Sequence, residues 1–566
     1  MKKLLPYLKN YRRDCVLAPF LKLLEASLEL LVPLVVQAMI DNGISGGAGR
    51  GYIVKMALVL AGFALVGLIF SVTAQYFSAR AATGFSSRIR QAIFDKFMNM
   101  SFSDIDSTGR TAMLNRMTGD TAQLQTGVNL TLRLFLRSPF VVFGAAIMAF
   151  TVNAEVAMVF VPLIVILCVV VFGIMLYGVP LYKKAQAKLD KILSSTLENL
   201  SGARVIRANR LEEGERQAYQ KESEELLHRQ KIAAGFSSLL NPITFVIINL
   251  GIVAALLIGN EKITAGQMTT GEMVAIYGYL SQILVELIKM ANLIITMTKA
   301  FASASRIEAC LEKPDEKLGD AEIEKGTPLE VEFEGVSFRY GGNMGDSLEN
   351  VSFKAKSGEH IGIIGSTGSG KTTLVNLVAG LYPARGVMLG GRPIGDYTVK
   401  TLRENIGYVM QKAEIFRGSI RENLKIRDLG AQDDELIRAL KTAQAYDFVF
   451  EKGGLDAPVS EGALSGGQKQ RLSIARALVG EPSVIIFDDS SSALDYATDA
   501  SMRASVRALP WNPTVFTVSQ RTSSVMDCDR IIVLEKGEAV GIGTHEELLV
   551  SCEVYKEIYD SQYKED

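Results

Sequence analysis

The 566-residue sequence has few of the nitrogen and sulfur side chains that bind transition metals or form disulfides: five cysteines and three histidines. The cysteines are scattered and include no C-x-x-C pair, which argues against zinc sites, iron–sulfur clusters and a secreted disulfide scaffold. An excess of charge of one sign is also missing, because 60 Lys and Arg residues nearly cancel 61 Asp and Glu residues. The composition therefore gives no support to a nucleic-acid-binding or disordered protein.

Charged residues are missing from long stretches of the first 300 residues. Four uncharged runs of 17 to 29 residues occupy Met56–Ala79, Ser138–Ala154, Val156–Tyr182 and Ile232–Asn260. A helix of about 20 residues crosses the hydrocarbon core of a bilayer, so each run is suited to span it. Two further apolar segments, near 15–40 and 273–298, carry a few charges. Together these segments predict six transmembrane helices.

Basic residues predict the orientation of the chain in the membrane. An even number of spans places both ends on one side, and the N-terminus begins with the basic stretch MKKLLPYLKNYRR, which lacks a signal-peptide cleavage pattern. By the positive-inside rule we expect a multi-pass protein of the cell membrane with its N-terminus and C-terminal half in the cytoplasm. The inner connections, about 80–137 and 183–231, are long and polar, and we expect helices that continue out of the bilayer.

Two acidic residues in the first span, Glu25 and Glu29, lie one helical turn apart. Charged residues inside a span are costly and are often functional. One interpretation is that both carboxylates face a cavity that accepts cationic compounds. The other is that they lie near the inner headgroups or pair with Lys22.

From about residue 328 the pattern changes to short β-like runs that alternate with helical ones, which indicates an α/β domain. The run His360–Ile364 is followed by a full G-x-x-x-x-G-K-[ST] pattern, which predicts a phosphate-binding loop between a strand and a helix. Backbone N–H groups and Lys371 would bind the phosphates of a nucleotide triphosphate, and Thr372 would ligate Mg²⁺. The loop and the residue after it are Gly365, Ser366, Thr367, Gly368, Ser369, Gly370, Lys371, Thr372 and Thr373.

A second motif, Leu464-Ser465-Gly466-Gly467-Gln468, precedes the apolar run Val484–Asp488. With these two features the sequence resembles the ATP-binding-cassette (ABC) family, whose signature is LSGGQ. The resemblance implies an exporter-type membrane domain of six helices followed by an α/β P-loop NTPase cassette. It also implies that the signature caps ATP held by a partner cassette, so that the chain needs a second one.

The resemblance assigns further roles, with ATP and Mg²⁺ as cofactors. Tyr340 matches the aromatic residue that stacks on adenine, and Gln411 matches the residue that touches Mg²⁺ and senses the membrane domain. Asp488 matches the aspartate that holds Mg²⁺ through water. Ser492–Asp495 matches the loop that communicates between the two nucleotide sites.

Two positions depart from the family pattern. Asp489 stands where active cassettes carry the glutamate that polarises the attacking water, and Gln520 stands where they carry a histidine. Loss of a positioned general base typically lowers a rate by about 10²- to 10⁴-fold. We therefore expect the chain's own site to bind ATP and hydrolyse it poorly. The alternative is that Asp489 replaces the glutamate adequately.

An intact signature beside a degenerate site resembles one subunit of a heterodimeric bacterial multidrug exporter. The expected partner is a second half-transporter with Glu and His at the two changed positions. The expected substrate is a hydrophobic small molecule, lipid or peptide, with membrane lipid around the helices and no nucleic acid. An ATP-gated regulator or sensor, or a homodimeric exporter, is the alternative.

The same reasoning predicts the boundaries of the domains. Residues 1–300 form the membrane domain, 301–327 the linker and 328–566 the cassette. The stretches 111–116, with Asp120, and 202–208 resemble the inner loops whose short helices press on the cassettes of exporters.

Overall fold

The computed structural model describes residues 3–316, 319–341, 345–460 and 462–563. The chain forms two compact units. The first comprises Met1–Asp95 and Thr111–Glu312, and the second comprises Lys96–Arg110 and Lys313–Asp566. A short segment of the connection between the second and third spans therefore belongs to the C-terminal unit.

Six helical segments in the described residues are long and apolar enough to cross a membrane, which confirms the predicted number of spans. They are Leu5–Ser45, Gly49–Asn99, Arg110–Val152, Ala154–Ser201, Glu212–Thr264 and Thr270–Leu311. The α-helices of these segments, together with the short helices α3 and α9 that lie between them, are α1 (Arg12–Ala38), α2 (Gly49–Asn99), α3 (Phe102–Thr108), α4 (Arg110–Asn115), α5 (Thr121–Leu134), α6 (Arg137–Val152), α7 (Ala154–Ala157), α8 (Phe160–Ser201), α9 (Ala203–Ala208), α10 (Glu212–Ser238), α11 (Leu240–Thr264) and α12 (Thr270–Leu311).

Several of these helices are much longer than a bilayer is thick. Helix α2 has 51 residues, which corresponds to about 75 Å at 1.5 Å per residue. The hydrocarbon core takes only about 30 Å of that length. Helix α2 is therefore far longer than a single crossing of the hydrocarbon core requires.

Helices α1, α6 and α12 pack around one apolar core in the first unit. Small residues let them approach closely: a Cβ atom added to Gly144 would lie 2.6 Å from a methyl carbon of Leu30. The buried hydroxyl of Tyr279 donates a 2.9 Å hydrogen bond to the Leu30 carbonyl oxygen. A Thr269–Glu272 capping box begins α12. Close packing and satisfied polar groups thus hold these three spans together.

Ion pairs account for the acidic residues of the first span. Lys22 Nζ lies 2.6 Å from a carboxylate oxygen of Glu25. Arg137 of α6 lies 2.6 Å from Glu29 and also pairs with Glu286 of α12, whose side chain is 2% exposed. Glu25 therefore pairs with Lys22, as the second interpretation expected. Glu29 pairs instead with Arg137 of another helix, a partner that the sequence spacing did not suggest.

The first inner connection contains two short helices: α3, which belongs to the second unit, and α4, which covers most of the predicted stretch 111–116. Ser101 accepts a 3.3 Å hydrogen bond from the Asp104 N–H and begins α3. Gly109, with φ +77°, ends it. Residues 111–116 form α4 and part of a π-helical turn of the first unit. The second predicted stretch forms α9, also in the first unit.

The second unit is an α/β domain, as predicted. Its strands are β1 (Val331–Phe338), β2 (Leu348–Ala355), β3 (His360–Gly365), β4 (Val387–Leu389), β5 (Arg392–Pro393), β6 (Ile406–Val409), β7 (Gly418–Ser419), β8 (Pro458–Val459), β9 (Val484–Asp488), β10 (Thr514–Val518), β11 (Arg530–Glu535) and β12 (Glu538–Gly543). Its helices are α13 (Lys371–Val378), α14 (Val399–Asn405), α15 (Ile420–Lys425), α16 (Asp433–Thr442), α17 (Tyr446–Glu451), α18 (Gly466–Leu478), α19 (Tyr496–Arg507), α20 (His545–Ser551) and α21 (Glu553–Tyr563).

The central sheet of this domain has six strands in the order β12-β11-β3-β10-β9-β6. All neighbours are parallel except β12, which is antiparallel to β11. A second, antiparallel sheet has the order β2-β1-β4-β5. Strands β3 and β9 are almost wholly buried and apolar, as is typical of parallel sheets. Their carboxyl ends lie at the same edge, where ligands of α/β domains bind.

Candidate functional site

The predicted phosphate loop connects β3 to α13. Gly370, with φ +102°, precedes the first residue of α13. A Cβ atom at Gly370 would lie 2.6 Å from the Ser347 carbonyl oxygen, so both its backbone conformation and its surroundings require glycine. The N–H groups of the loop and of the first turn of α13 form an anion-binding geometry.

Lys371 lies at the start of α13 and is buried. Its ammonium group donates hydrogen bonds of 2.8 and 2.7 Å to the carbonyl oxygens of Gly365 and Ser366. Burial lowers the pKa of Lys371, and the nearby carboxylates of Asp489 and Asp488 oppose that shift. The lysine is thus held within the phosphate loop beside two acidic side chains.

Asp488 ends β9 and is buried. The Thr372 hydroxyl donates a 3.0 Å hydrogen bond to one of its carboxylate oxygens. The Tyr408 hydroxyl lies 3.4 Å from the other. Burial is the main reason that the pKa of Asp488 is raised. This hydroxyl and carboxylate are hard oxygen ligands of the kind that Mg²⁺ prefers.

Asp489 and Gln411 are in contact beside Asp488. The Gln411 side-chain N–H donates a 3.3 Å hydrogen bond to the Asp489 carboxylate. Asp489 has φ +49°, in the left-handed region, which aspartate tolerates better than most residues do. Its N–H donates a 3.0 Å hydrogen bond to the Val518 carbonyl oxygen, which ties it to the end of β10.

A cavity of about 510 Å³ brings most of the predicted residues together. Its lining residues are Gly345, Asp346, Ser347, Thr367, Gly368, Gly370, Lys371, Thr372, Thr373, Gln411, Asp488, Asp489, Val518 and Gln520. The two residues that depart from the family pattern, Asp489 and Gln520, therefore line the same cavity as the phosphate loop.

Tyr340 lies outside this lining, in a group of aromatic rings. Its ring packs edge-on against Tyr382, with the ring centroids 5.0 Å apart. Its hydroxyl lies 3.4 Å from the Asn376 amide nitrogen of α13, and Asn376 also accepts a 2.7 Å hydrogen bond from Tyr408. Tyr340 is thus connected to Asp488 through side chains that sequence reasoning missed. Asn376 and Tyr382 lie in no motif by which the sequence could have indicated them.

The signature stretch lies at the start of α18 and lines no part of this cavity in the described residues. Ser465 and Gln468 form a capping box: the Gln468 N–H donates to the Ser465 hydroxyl at 3.3 Å, and the Ser465 N–H donates to the Gln468 side chain at 3.1 Å. Leu464 is buried and anchors the stretch, while Ser465 and Gly466 are exposed. The exposed N-terminus of α18 is therefore open to a ligand from outside this chain's own site.

Comparison with known proteins supports the architecture. Residues 15–287 match the ABC transporter transmembrane region, and residues 348–492 match the ABC transporter domain. The chain is 32% identical over 568 residues to the uncharacterized ABC transporter ATP-binding protein YfiB of Bacillus subtilis, covering 100% of this chain and 99% of that protein.

Two other similar proteins agree. An ATP-dependent lipid A-core flippase of Bordetella pertussis is 28% identical over 567 residues, covering 98% of this chain and 90% of that protein. A solved structure of a bacterial Atm1-family ABC exporter with ATP bound superposes with a TM-score of 0.84 at 23% identity, covering 98% of this chain and 99% of the other. The fold is thus shared over nearly the whole chain.

Proposed function

Because the chain belongs to the ABC transporter family and is a half-transporter with fused membrane and nucleotide-binding domains, we propose that it pairs with a different half-transporter and that its own phosphate-loop site holds ATP but hydrolyses it slowly. The chain is part of an ATP-driven exporter, and its ATPase activity is coupled to transport. The two nucleotide sites of such a pair would thus have different roles, with slow hydrolysis at this chain's own site.

The observation that carries this proposal is the pair Asp489 and Gln520 in one cavity. The Asp489 carboxylate is shorter than that of a glutamate by one C–C bond, about 1.5 Å, and it accepts a hydrogen bond from Gln411. Gln520 has no ring nitrogen and cannot become cationic. The site therefore has the groups to bind ATP, but a shorter carboxylate and a neutral amide stand where a glutamate and a histidine usually activate water and contact the γ-phosphate.

The other residues of the cavity suit nucleotide binding. The N–H groups of the phosphate loop and Lys371 would hold the phosphates, and Tyr340 would stack on adenine. Thr372, Asp488 and Gln411 supply oxygen atoms that fit Mg²⁺, the last two directly or through water. When bound there, Mg²⁺ would supply positive charge that neutralises the charge developing on the phosphate oxygens.

The signature stretch would serve the partner. Its exposed N-terminus, held by the Ser465–Gln468 capping box, offers N–H groups and the positive end of the α18 dipole. We propose that it caps ATP bound to the phosphate loop of a partner that carries glutamate and histidine at the two changed positions. That composite site would supply most of the turnover.

The proposed substrate is a hydrophobic or amphipathic compound, drug-, lipid- or peptide-like. Of the relatives above, the B. pertussis protein is named as a lipid A-core flippase, which supports a lipid-like substrate. We propose that residues 1–300 form the membrane domain, 301–327 the linker and 328–566 the cassette. The protein would lie in the cell membrane with its N-terminus and cassette in the cytoplasm, and we expect no nucleic-acid partner.

The test measures ATP turnover of the purified chain alone and after reconstitution with a similar half-transporter encoded beside it. We expect substantial turnover only with the partner, and its loss when the partner's glutamate is replaced. Asp489→Asn in this chain should change turnover of the pair little. If the chain alone hydrolyses ATP at an ordinary exporter rate that Asp489→Asn abolishes, a homodimer replaces this proposal. ATP-dependent partner affinity without substrate-stimulated turnover would favour a regulator or sensor instead.

A further inference from the structure

The C-terminal helix α21 is firmly anchored to the central sheet. Tyr555 is fully buried in a cluster with Ile364 of β3 and Val533 of β11. Its hydroxyl lies 2.7 Å from the Nδ1 atom of His545, the first residue of α20. The start of α21 is therefore held at a fixed place on the domain, which also fixes the direction of the helix towards its C-terminal end.

One side chain near that end contacts the loop that follows β10. The Gln562 amide donates a 2.9 Å hydrogen bond to the Gln520 carbonyl oxygen. Its carbonyl oxygen accepts two hydrogen bonds, of 2.8 Å from the Thr522 N–H and of 3.0 Å from the Thr522 hydroxyl. Both ends of the amide are thus used, and only a side chain with a donor and an acceptor can make all three bonds.

The adjacent residue extends the contact to a second loop. The Tyr563 hydroxyl lies beside the hydroxyls of Ser523 and Tyr496. Tyr496 begins α19 directly after the loop Ser492–Asp495. Ser524 in turn lies 3.3 Å, hydroxyl to hydroxyl, from Ser491. The end of α21 therefore bridges the two loops that flank the cavity on the side of Asp489.

Gln520 lies at the end of this chain of contacts and lines the nucleotide cavity together with Lys371 and Asp489. We propose that Gln562 is a positioning residue that holds the backbone of Gln520 so that the Gln520 side chain faces the terminal phosphate of bound ATP. The inference rests on the proposed ATP-binding role of the cavity. It does not depend on how fast that site hydrolyses ATP.

The test compares binding of labelled ATP and ADP to the purified full chain carrying Gln562→Met or Gln562→Glu. Methionine keeps the length and removes all three hydrogen bonds, whereas glutamate keeps the acceptor and loses the donor to Gln520. We expect both variants to weaken ATP binding about fivefold, the equivalent of one hydrogen bond of about 1 kcal/mol. ADP affinity should be unchanged, because ADP lacks the phosphate that Gln520 faces.

The matched control is Ser561→Ala on the same turn, since the Ser561 hydroxyl donates its hydrogen bond within α21, to the Ile558 carbonyl oxygen. It should leave both affinities unchanged. An unchanged ratio of ATP affinity to ADP affinity, whether from equal losses or from no loss, would overturn the inference. Equal losses would make Gln562 a merely structural residue. The failure of the proposed function is a separate result, because it would appear as rapid Asp489-dependent turnover and not as a change in this ratio.

Discussion

The Tyr382 hydroxyl donates a 2.6 Å hydrogen bond to the Asp106 carboxylate. Asp106 belongs to α3, the short helix of the first inner connection, and Tyr382 follows α13 in the nucleotide-binding domain. The Tyr382 ring also packs against the ring of Tyr340. Burial, followed by the hydrogen bond to Asp106, raises the pKa of Tyr382 well above its ordinary value. A segment between two spans is thereby joined to the residue proposed to stack on adenine.

Tyr382→Phe is expected to weaken coupling between nucleotide binding and transport. The variant keeps the ring contacts with Tyr340 and loses the hydrogen bond to Asp106, so ATP affinity should stay unchanged while substrate-stimulated turnover falls. Tyr397→Phe is the matched control, because its hydroxyl donates a 2.8 Å hydrogen bond to the Leu389 carbonyl oxygen inside the domain. Equal effects of the two variants on stimulated turnover would show that the Tyr382 bond has no special part in coupling.

Contiguous motifs are the part of this molecule that the sequence predicts well. The phosphate loop and the signature each carry their chemistry in five to eight consecutive residues, and such stretches have one local structure. The strand β3 was predicted because it is a continuous apolar run, and the six spans because of their length. Strand β2 was not predicted, because Glu349 and Lys354 on its exposed face interrupt the apolar residues.

The missed contacts join residues that are far apart in the chain. Arg137 and Glu29 are 108 residues apart, Tyr382 and Asp106 are 276 apart, and Gln562 and Gln520 are 42 apart. No periodicity brings such partners together; the packing of whole helices and strands does. Helix α3 is a different case: it was not predicted, although Ser101, Asp104 and Gly109 form a local start and stop signal for it.

Asp489→Glu combined with Gln520→His should raise turnover at this chain's own site. The longer carboxylate restores the reach of the family's general base, and the histidine restores a group able to be cationic, so we expect a gain of about 10²-fold or more. The measurement is turnover of the pair with the partner's glutamate replaced, which isolates this site.

The Asp489→Glu change should also lower thermal stability slightly, because φ at this position is +49° and aspartate tolerates that region better than glutamate. Asp489→Asn with Gln520→His serves as the control, since it lacks a base. An equal gain in that control, or no gain in the double variant, would contradict the assignment of these two positions.

Arg137→Met should strongly destabilise the membrane domain. It removes one of the two cations that pair with Glu286, 2% exposed, and leaves Lys289 as the remaining ionic partner. Loss of a partner of a buried charge costs up to about 3–5 kcal/mol. Adding Glu286→Gln should recover much of that loss, because the buried side chain that has lost its arginine is then neutral. Thermal unfolding in detergent measures both steps.

Glu29→Gln is the control for this network. Glu29 also pairs with Arg137, but its side chain is 41% exposed, so loss of its charge should have a small effect. A double variant no more stable than Arg137→Met alone would mean that the destabilisation comes from lost packing of the arginine and not from the buried carboxylate that lost its arginine partner.

Asp488 is expected to lower the stability of the nucleotide-free domain at neutral pH. Its pKa is raised, mainly by burial. Tyr408 has one hydroxyl proton and faces two acceptors, the Asn376 side chain at 2.7 Å and Asp488 at 3.4 Å. A raised folded-state pKa contributes stability that is fully present below the ordinary aspartate pKa and is lost as the pH rises through the raised value.

Asp488→Asn should therefore stabilise the nucleotide-free protein at pH 7–8. The amide can still accept from Thr372 through its oxygen, and its N–H₂ group can donate to Tyr408, whose proton is then free for Asn376. We expect a rise in melting temperature of about 2–4 °C, as about 1 kcal/mol produces in a domain of this size. The difference should shrink as the pH is lowered and reverse in the presence of Mg²⁺ and ATP, because asparagine is the poorer ligand. A difference that does not change with pH would show that burial of the charge is not its cause.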